Sequence, residues 1–354
     1  MTIQLSEHER ASLLDSLRRL LEAGWPVETA VEMAGDAEAL KRISAQLCDL
    51  GLADLGADEG PGLSETLLVL EELGRASCPA PLIGAFLANQ LLEGSDDPAA
   101  QDFLAAVRAG AAVPTVALGA FDGDRAAGVA SLVNGRLSGS LEFVESVAAS
   151  SHVLVLVSEP FGVAVAPLEH AGVAVTGNPG LAVPALSRLA LDGAPATWTP
   201  CSAEALADAA QVVRVLTAAR ALGAAQRAFD LALDHAKVRR QFGHVIGEFQ
   251  ALQHKLVDCF SRLEGARLSL CGAAEARDRG DAAWSVFADA AIAFAAPALR
   301  QVSLEVHHTL GAIGYAEEHE APRHFRRVHA DLVRFGGAAR ARASLADHLL
   351  VAAK

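Results

Sequence analysis

From Ser202 to the C-terminus the chain carries apolar residues at helical spacing with no strand-like run between them. A stretch of that length buries its apolar stripes by folding back on itself as packed helices. Ser202 stands where an N-cap belongs, and Val212, Leu216, Leu222, Phe229 and Leu233 line one side of the helix that follows. Further helices are expected from about Phe249 to Ala276, from Ala282 to Leu310, and after Pro322 to the end. Four long antiparallel helices make a bundle.

Residues 1–112 also read as helices, over Glu7 to Ala23, Asp36 to Leu50, Ser64 to Arg75 and on to about Arg108, around a Gly/Asp/Pro-rich loop at Gly56 to Gly62. On the helix from Ser64, Leu67, Val69, Leu70 and Leu73 form the apolar side, with Glu71 and Glu72 facing away. From Val113 the texture changes to short β-branched runs, with Asn134-Gly135 between two of them as a hairpin signal. The runs reach about Gly193 and end at a breaker, Thr197-Trp-Thr-Pro200. The fold class expected is α+β: an N-terminal α-helical domain (1–112), a small antiparallel β sheet or barrel domain (113–200), and a C-terminal four-helix bundle (201–354).

The net charge of −14 argues against a nucleic-acid partner, because phosphate binding needs a basic footprint. Most of the acidic excess lies in the first 200 residues, so a site for a phosphorylated small molecule falls more naturally in the second half. The five cysteines lie far apart with no Cys-x-x-Cys pair, and no His-x-x-x-His or His-Glu-x-x-His pattern occurs, so no metal site is expected. No apolar run approaches the roughly 20 residues of a membrane span. The polar N-terminus carries no targeting signal, and the reading is a soluble, cytoplasmic protein without a membrane association.

Four blocks give the bundle an identity. They are Gly223-x-x-Gln-Arg-Ala228; Arg239-Arg-Gln-Phe-Gly243 followed by Ile246-Gly-Glu-Phe-Gln250 and His254; His308-x-x-Gly-Ala-Ile-Gly-Tyr315; and Arg326. In order and spacing they resemble the acyl-CoA dehydrogenase family, with Gly51-Leu and Glu71-Glu-Leu-Gly-Arg75 as a fainter N-terminal match. The resemblance implies FAD as cofactor, an acyl-CoA as substrate and an electron-transferring flavoprotein as electron acceptor. It assigns Arg239, Gln241, Phe242, Ile246, Phe249, Gln250, His308, Gly311, Ala312 and Gly314 to cofactor binding, and Arg214 to the substrate side. A planar guanidinium such as Arg239 can pair two phosphate oxygens, Gln241 adds a donor, Phe242 offers a face for adenine, and glycines at 311 and 314 admit a ligand close to backbone. In the family these are the residues one subunit lends to the flavin of its neighbour.

The residues for the reaction itself are missing. The family removes an α proton with a carboxylate while the β hydrogen passes as hydride to the flavin. By the resemblance the base belongs at position 335, before a glycine, or at position 213, before an arginine; this chain has Phe335 before Gly336 and Val213 before Arg214. The nearest acids are Asp331 and Asp208, about one helical turn from those stations, Asp331 being the substitute to consider. No catalytic residue is assigned. The family's loop over the flavin corresponds to Gly119–Arg125, and its flavin-facing Trp-Ile-Thr/Ser to Phe143-Val-Glu145, which sets a negative charge where the ring becomes electron-rich. The leading expectation is a non-catalytic subunit of a hetero-oligomeric acyl-CoA dehydrogenase, α2β2 among the arrangements, paired with a homologous catalytic chain and acting on a fatty or steroid acyl group. The alternatives are a self-sufficient flavoenzyme of the same fold with another base or oxygenase chemistry, and a cofactor-free scaffold.

Overall fold

The structure, a computed structural model, describes residues 5–119, 121, 127–180, 182, 183 and 185–352. Helices α1 (Glu7–Gly24), α2 (Ala30–Ala34), α3 (Ala37–Asp49), α4 (Leu63–Arg75), α5 (Leu82–Leu92) and α6 (Pro98–Arg108) come first. Local chemistry sets their starts. Ser6 and Glu9 cap α1 reciprocally, the Glu9 amide donating to Ser6 Oγ (3.3 Å) and the Ser6 amide to Glu9 Oε2 (2.8 Å). Asp36 and Asp97 cap α3 and α6 through the amides two residues on, each at 2.9 Å.

Strands β1 (Pro114–Ala117), β2 (Gly128–Val133), β3 (Arg136–Glu145), β4 (His152–Ser158), β5 (Phe161–Pro167), β6 (Val173–Gly177), β7 (Leu186–Pro195) and β8 (Thr197–Pro200) follow. Asn134 and Gly135 both have positive φ (50° and 71°), as a two-residue turn between β2 and β3 requires. One sheet runs β2-β3-β7-β6, antiparallel throughout, and the other β1-β4-β5-β8. Leu137, Leu141, Val153, Val155, Ala164 and Leu189 form their shared core.

Two details depart from the expectation of an antiparallel domain ended by a breaker. β1 lies parallel to β4, because the chain returns to it only after the β2–β3 hairpin. The Thr197–Pro200 segment is itself a strand, paired with β5 at the sheet edge, where its two threonines and Trp198 suit a pleated surface and Pro200 sits at the last position.

The rest is helical: α7 (Ala203–Val238), started by the Ala205 amide donating to Ser202 Oγ at 3.1 Å, then the short ribbon strands β9 (Arg240–Gln241) and β10 (His244–Val245), then α8 (Gln250–Asp278), α9 (Trp284–Leu310), α10 (Ala321–Val333) and α11 (Gly337–Ala352). The last helix expected from sequence is therefore two. Phe335, Gly336 and Gly337 all take positive φ (56°, 86° and 50°) and break it, which two adjacent glycines permit.

Contacts divide the chain into two compact units. The first is Met1–Trp25, Glu32–Thr66 and Pro79–Val213; the second is Pro26–Val31, Leu67–Cys78 and Arg214–Lys354. Within the second unit, the α4 segment meets α7 backbone to backbone: a Cβ on Gly74 would lie 1.9 Å from the Arg220 carbonyl oxygen, and one on Gly223 1.8 Å from that of Glu71. Glu71 and Glu72 do not face solvent here. Glu72 is buried, and Glu71 receives Arg267 at 2.8 Å. Gly74→Ala and Gly223→Ala are each expected to cost about 1–3 kcal/mol, because overpacking forces the backbones apart. A urea midpoint lowered at constant m-value checks this. Among the described residues, no helix is long and apolar enough to cross a membrane, and no group of three or more His, Cys, Asp or Glu could hold a metal ion.

Candidate functional site

Between α7 and α8 the chain makes a short ribbon that projects its side chains outward. The Arg239 amide still donates to His235 as the last bond of α7, and the Ile246 amide returns to the Arg239 carbonyl at 2.8 Å, closing the ribbon at its base. Phe242 and Gly243 form the tip, both with positive φ (54° and 82°). The Phe242 ring is 91% exposed, which is the reverse of what an isolated aromatic side chain favours in water. It meets the Phe249 ring edge-on at 6.4 Å. Arg239, Gln241, Phe249 and Gln250 are exposed as well, and Ile246 is half-buried. Gln241 spends its amide on the neighbouring Arg240 carbonyl (2.7 Å), a local bond easily exchanged for another acceptor.

The second predicted group sits where α9 ends. Gly311 has φ 63° and ψ −138°, a region open essentially to glycine alone, and nothing lies within 4 Å of where its Cβ would be. Ala312 is exposed, while Gly314 is buried under Leu310. His308 projects outward and meets Lys255 Nζ at 3.1 Å; the same ammonium takes Glu305 Oε2 at 3.0 Å. Lys255 thus joins the second turn of α8 to the last turns of α9. The sequence reading missed Lys255 and Glu305. Glu305 and His308, three residues apart on one helix face, were the available signal.

Neither base station holds a carboxylate: Val213 is buried and apolar, and Phe335 is half-buried. Asp331 is committed elsewhere. Arg220 grips it with two bonds, Nε to Oδ2 at 2.9 Å and Nη2 to Oδ1 at 2.7 Å, with both side chains 3% exposed or less. A carboxylate held on both oxygens by a guanidinium has no freedom to reach substrate. Asp208 accepts the Gln90 amide at 2.7 Å. Arg214, read as a substrate-side residue, lies apart from the ribbon group; it is buried and its Nε donates to the Phe335 carbonyl at 3.2 Å. Burial, and then the charge of Arg340, push its pKa down to about 9, against the pull of Asp289.

Of the flavin-loop positions, 120 and 122–125 lie outside the described residues. Phe143 and Glu145 are described: Phe143 is 44% exposed with φ 58°, and Glu145 is buried, its carbonyl accepting from Thr115 Oγ1 at 2.6 Å. Phe143, Phe242 and Phe335 all take left-handed backbone, which costs a side-chain-bearing residue roughly 1–2 kcal/mol. All three are positions that sequence had singled out, and strain of this kind collects where function, rather than stability, fixes the conformation.

Residues 204–350 match the family model for the acyl-CoA dehydrogenase C-terminal domain. The acyl-CoA dehydrogenase IpdE2 of Mycolicibacterium smegmatis is 30% identical over 272 residues, which is 76% of this chain and 74% of that protein. The chain belongs to the acyl-CoA dehydrogenase family. Its fold is that of the Tcur3481-Tcur3483 steroid ACAD, in its G363A variant, at a TM-score of 0.86 with 25% identity over 98% of this chain and 99% of that one. It is also that of the ChsE4-ChsE5 complex from Mycobacterium tuberculosis, at a TM-score of 0.84 with 22% identity over 99% of each chain.

Proposed function

We propose that this chain is the non-catalytic subunit of a hetero-oligomeric, FAD-dependent acyl-CoA dehydrogenase, completing the flavin site of a homologous partner that carries the base. The observation behind this is the pairing of an outward-facing dinucleotide arm with stations that have no carboxylate. The donor set fits a dinucleotide. Arg239 offers two parallel N–H groups to phosphate oxygens, Gln241 can trade its local carbonyl bond for a ligand acceptor, and the Phe242 face is open. The open backbone at Gly311 and Ala312 admits close approach, and His308, Ile246, Phe249, Gln250 and Gly314 shape the surface around it. FAD, when bound, supplies the hydride acceptor.

On this reading the chain's residues bind and orient, and none of them takes the α proton. Glu145 disfavours a flavin held by the chain's own sheet domain, since burying a carboxylate beside a reduced ring is electrostatically unfavourable. The resemblance to the ChsE4-ChsE5 complex and the Tcur3481-Tcur3483 steroid ACAD supports a two-component assembly and a bulky, steroid-like acyl group. An electron-transferring flavoprotein would reoxidise the complex.

The decisive experiment expresses the chain alone and together with dehydrogenase-like chains encoded beside it. The expected result is no stoichiometric flavin in the isolated chain, and flavin absorbance with acyl-CoA oxidation in the co-expressed complex. Stoichiometric FAD and thioester oxidation by the isolated chain would overturn the reading.

A further inference from the structure

Along β4, Val153, Val155 and Val157 enter the core shared by the two sheets, so strand alternation turns His152, Leu154 and Leu156 to the opposite face. Pairing extends that face sideways: Pro167 stands beside His152, Val165 beside Leu154, and Thr197 beside Val165. Facing it is α6, whose Ala99, Phe103 and Ala106 fall at i, i+4 and i+7 and so share one side of the helix. Two of those three side chains are alanines, too small to fill the layer between helix and sheet, and a cleft of about 560 Å³ remains. That volume falls in the range of about 300–1,000 Å³ usual for small-molecule sites. None of the residues lining it belongs to the flavin or substrate sets described above.

The cleft has little polar equipment. No Lys, Arg, Asp or Glu is among the described residues that line it, so an ion seated there would lose hydration with no charge to answer it. His152 is the polar exception on its strand face. The Phe103 ring meets its imidazole edge-on at 4.8 Å, and Ser151 Oγ lies 2.9 Å from its Nδ1. That hydroxyl oxygen already accepts the Val113 amide at 2.9 Å, and the Val113 carbonyl, at 3.4 Å, is a more distant acceptor for its hydrogen than Nδ1. The hydroxyl therefore donates to Nδ1, and the neutral ring carries its own hydrogen on Nε2. Burial pushes the imidazole pKa below its ordinary value, which keeps the ring neutral near pH 7. Among the described residues, Nε2 has no hydrogen-bond partner.

We propose that this cleft binds a neutral, flat, largely apolar molecule carrying a carbonyl group, whose oxygen accepts the hydrogen of His152 Nε2 while its hydrocarbon body lies between the alanine side of α6 and the β4–β5–β8 face. The site is independent of the subunit reading, since a chain that held its own flavin would keep it.

Calorimetric titration of the full-length chain with 2-acetylnaphthalene and 2-ethylnaphthalene, which differ by the carbonyl, tests it. The ketone is expected to bind at equimolar stoichiometry and roughly 3- to 10-fold more tightly than the hydrocarbon, the increment of a single hydrogen bond. His152→Phe should remove that preference while both compounds still bind. Ala106→Phe, which occupies the space the alanine leaves, should weaken both roughly 10-fold or more. Long-range proton–nitrogen spectra of the unsubstituted protein should show His152 as the Nε2–H tautomer, with the Nε2 resonance moved by the ketone. Equal affinity for the two compounds, or an Nδ1–H tautomer, would overturn the role given to His152. Binding of neither compound, or undiminished binding to Ala106→Phe, would overturn the site itself and leave the cleft a water-filled crevice.

Discussion

Asp331→Ala is expected to remove roughly 3–5 kcal/mol of stability, because it leaves the Arg220 guanidinium buried without its carboxylate. Both side chains are almost fully excluded from solvent and are joined by two bonds of 2.9 and 2.7 Å across 111 residues of sequence. The stabilisation of such a pair is modest relative to apolar replacements, since desolvating two ions offsets most of their attraction. Breaking it is another matter. The double variant Arg220→Met with Asp331→Leu is therefore expected to recover most of the loss, and Asp331→Ala alone none of it. Guanidinium unfolding curves of the three proteins decide this. A loss below about 1 kcal/mol for Asp331→Ala would mean that the pair does not carry the interaction its geometry indicates, and would return Asp331 to consideration as a proton acceptor.

Residues adjacent in sequence or at fixed helical spacing were the legible part of this chain. The Asn134-Gly135 turn, the Ser202 cap and the long apolar stripe of α7 announce themselves within a few positions, because turn and cap geometry are set locally. The ribbon residues from Arg239 to Gln250 were recognisable for the same reason: their chemistry and spacing lie in one short segment. What stayed hidden depends on distant partners or on a backbone exception. Asp331 reads as a spare acid until Arg220 is placed against it. The parallel pairing of β1 with β4 is decided by the hairpin that intervenes, and the strand at Thr197–Pro200 by an edge of β5 that needs covering. The break at Phe335 combines two glycines with an aromatic residue in a conformation that propensity alone disfavours. Lys255 escaped because it lies 50 residues before Glu305, the acid it ties down.

Arg239→Ala in this chain is expected to weaken FAD retention by the assembled complex roughly 10- to 100-fold while leaving the isolated chain's unfolding free energy within about 0.5 kcal/mol of the parent. The asymmetry follows from where the side chain is. Arg239 is exposed and lies beyond the last turn of α7, where its truncation leaves no cavity in the packing of the subunit, whereas a phosphate pair loses a charge-assisted donor. Phe242 sharpens the test, since its backbone is left-handed and its ring almost wholly in water. Phe242→Gly relieves about 1 kcal/mol of backbone strain and should make the isolated chain slightly more stable, yet it removes the face offered to the dinucleotide and should lower flavin retention. Were both substitutions to leave flavin retention unchanged, the ribbon would not be a dinucleotide arm, and the exposed phenylalanine would need another partner.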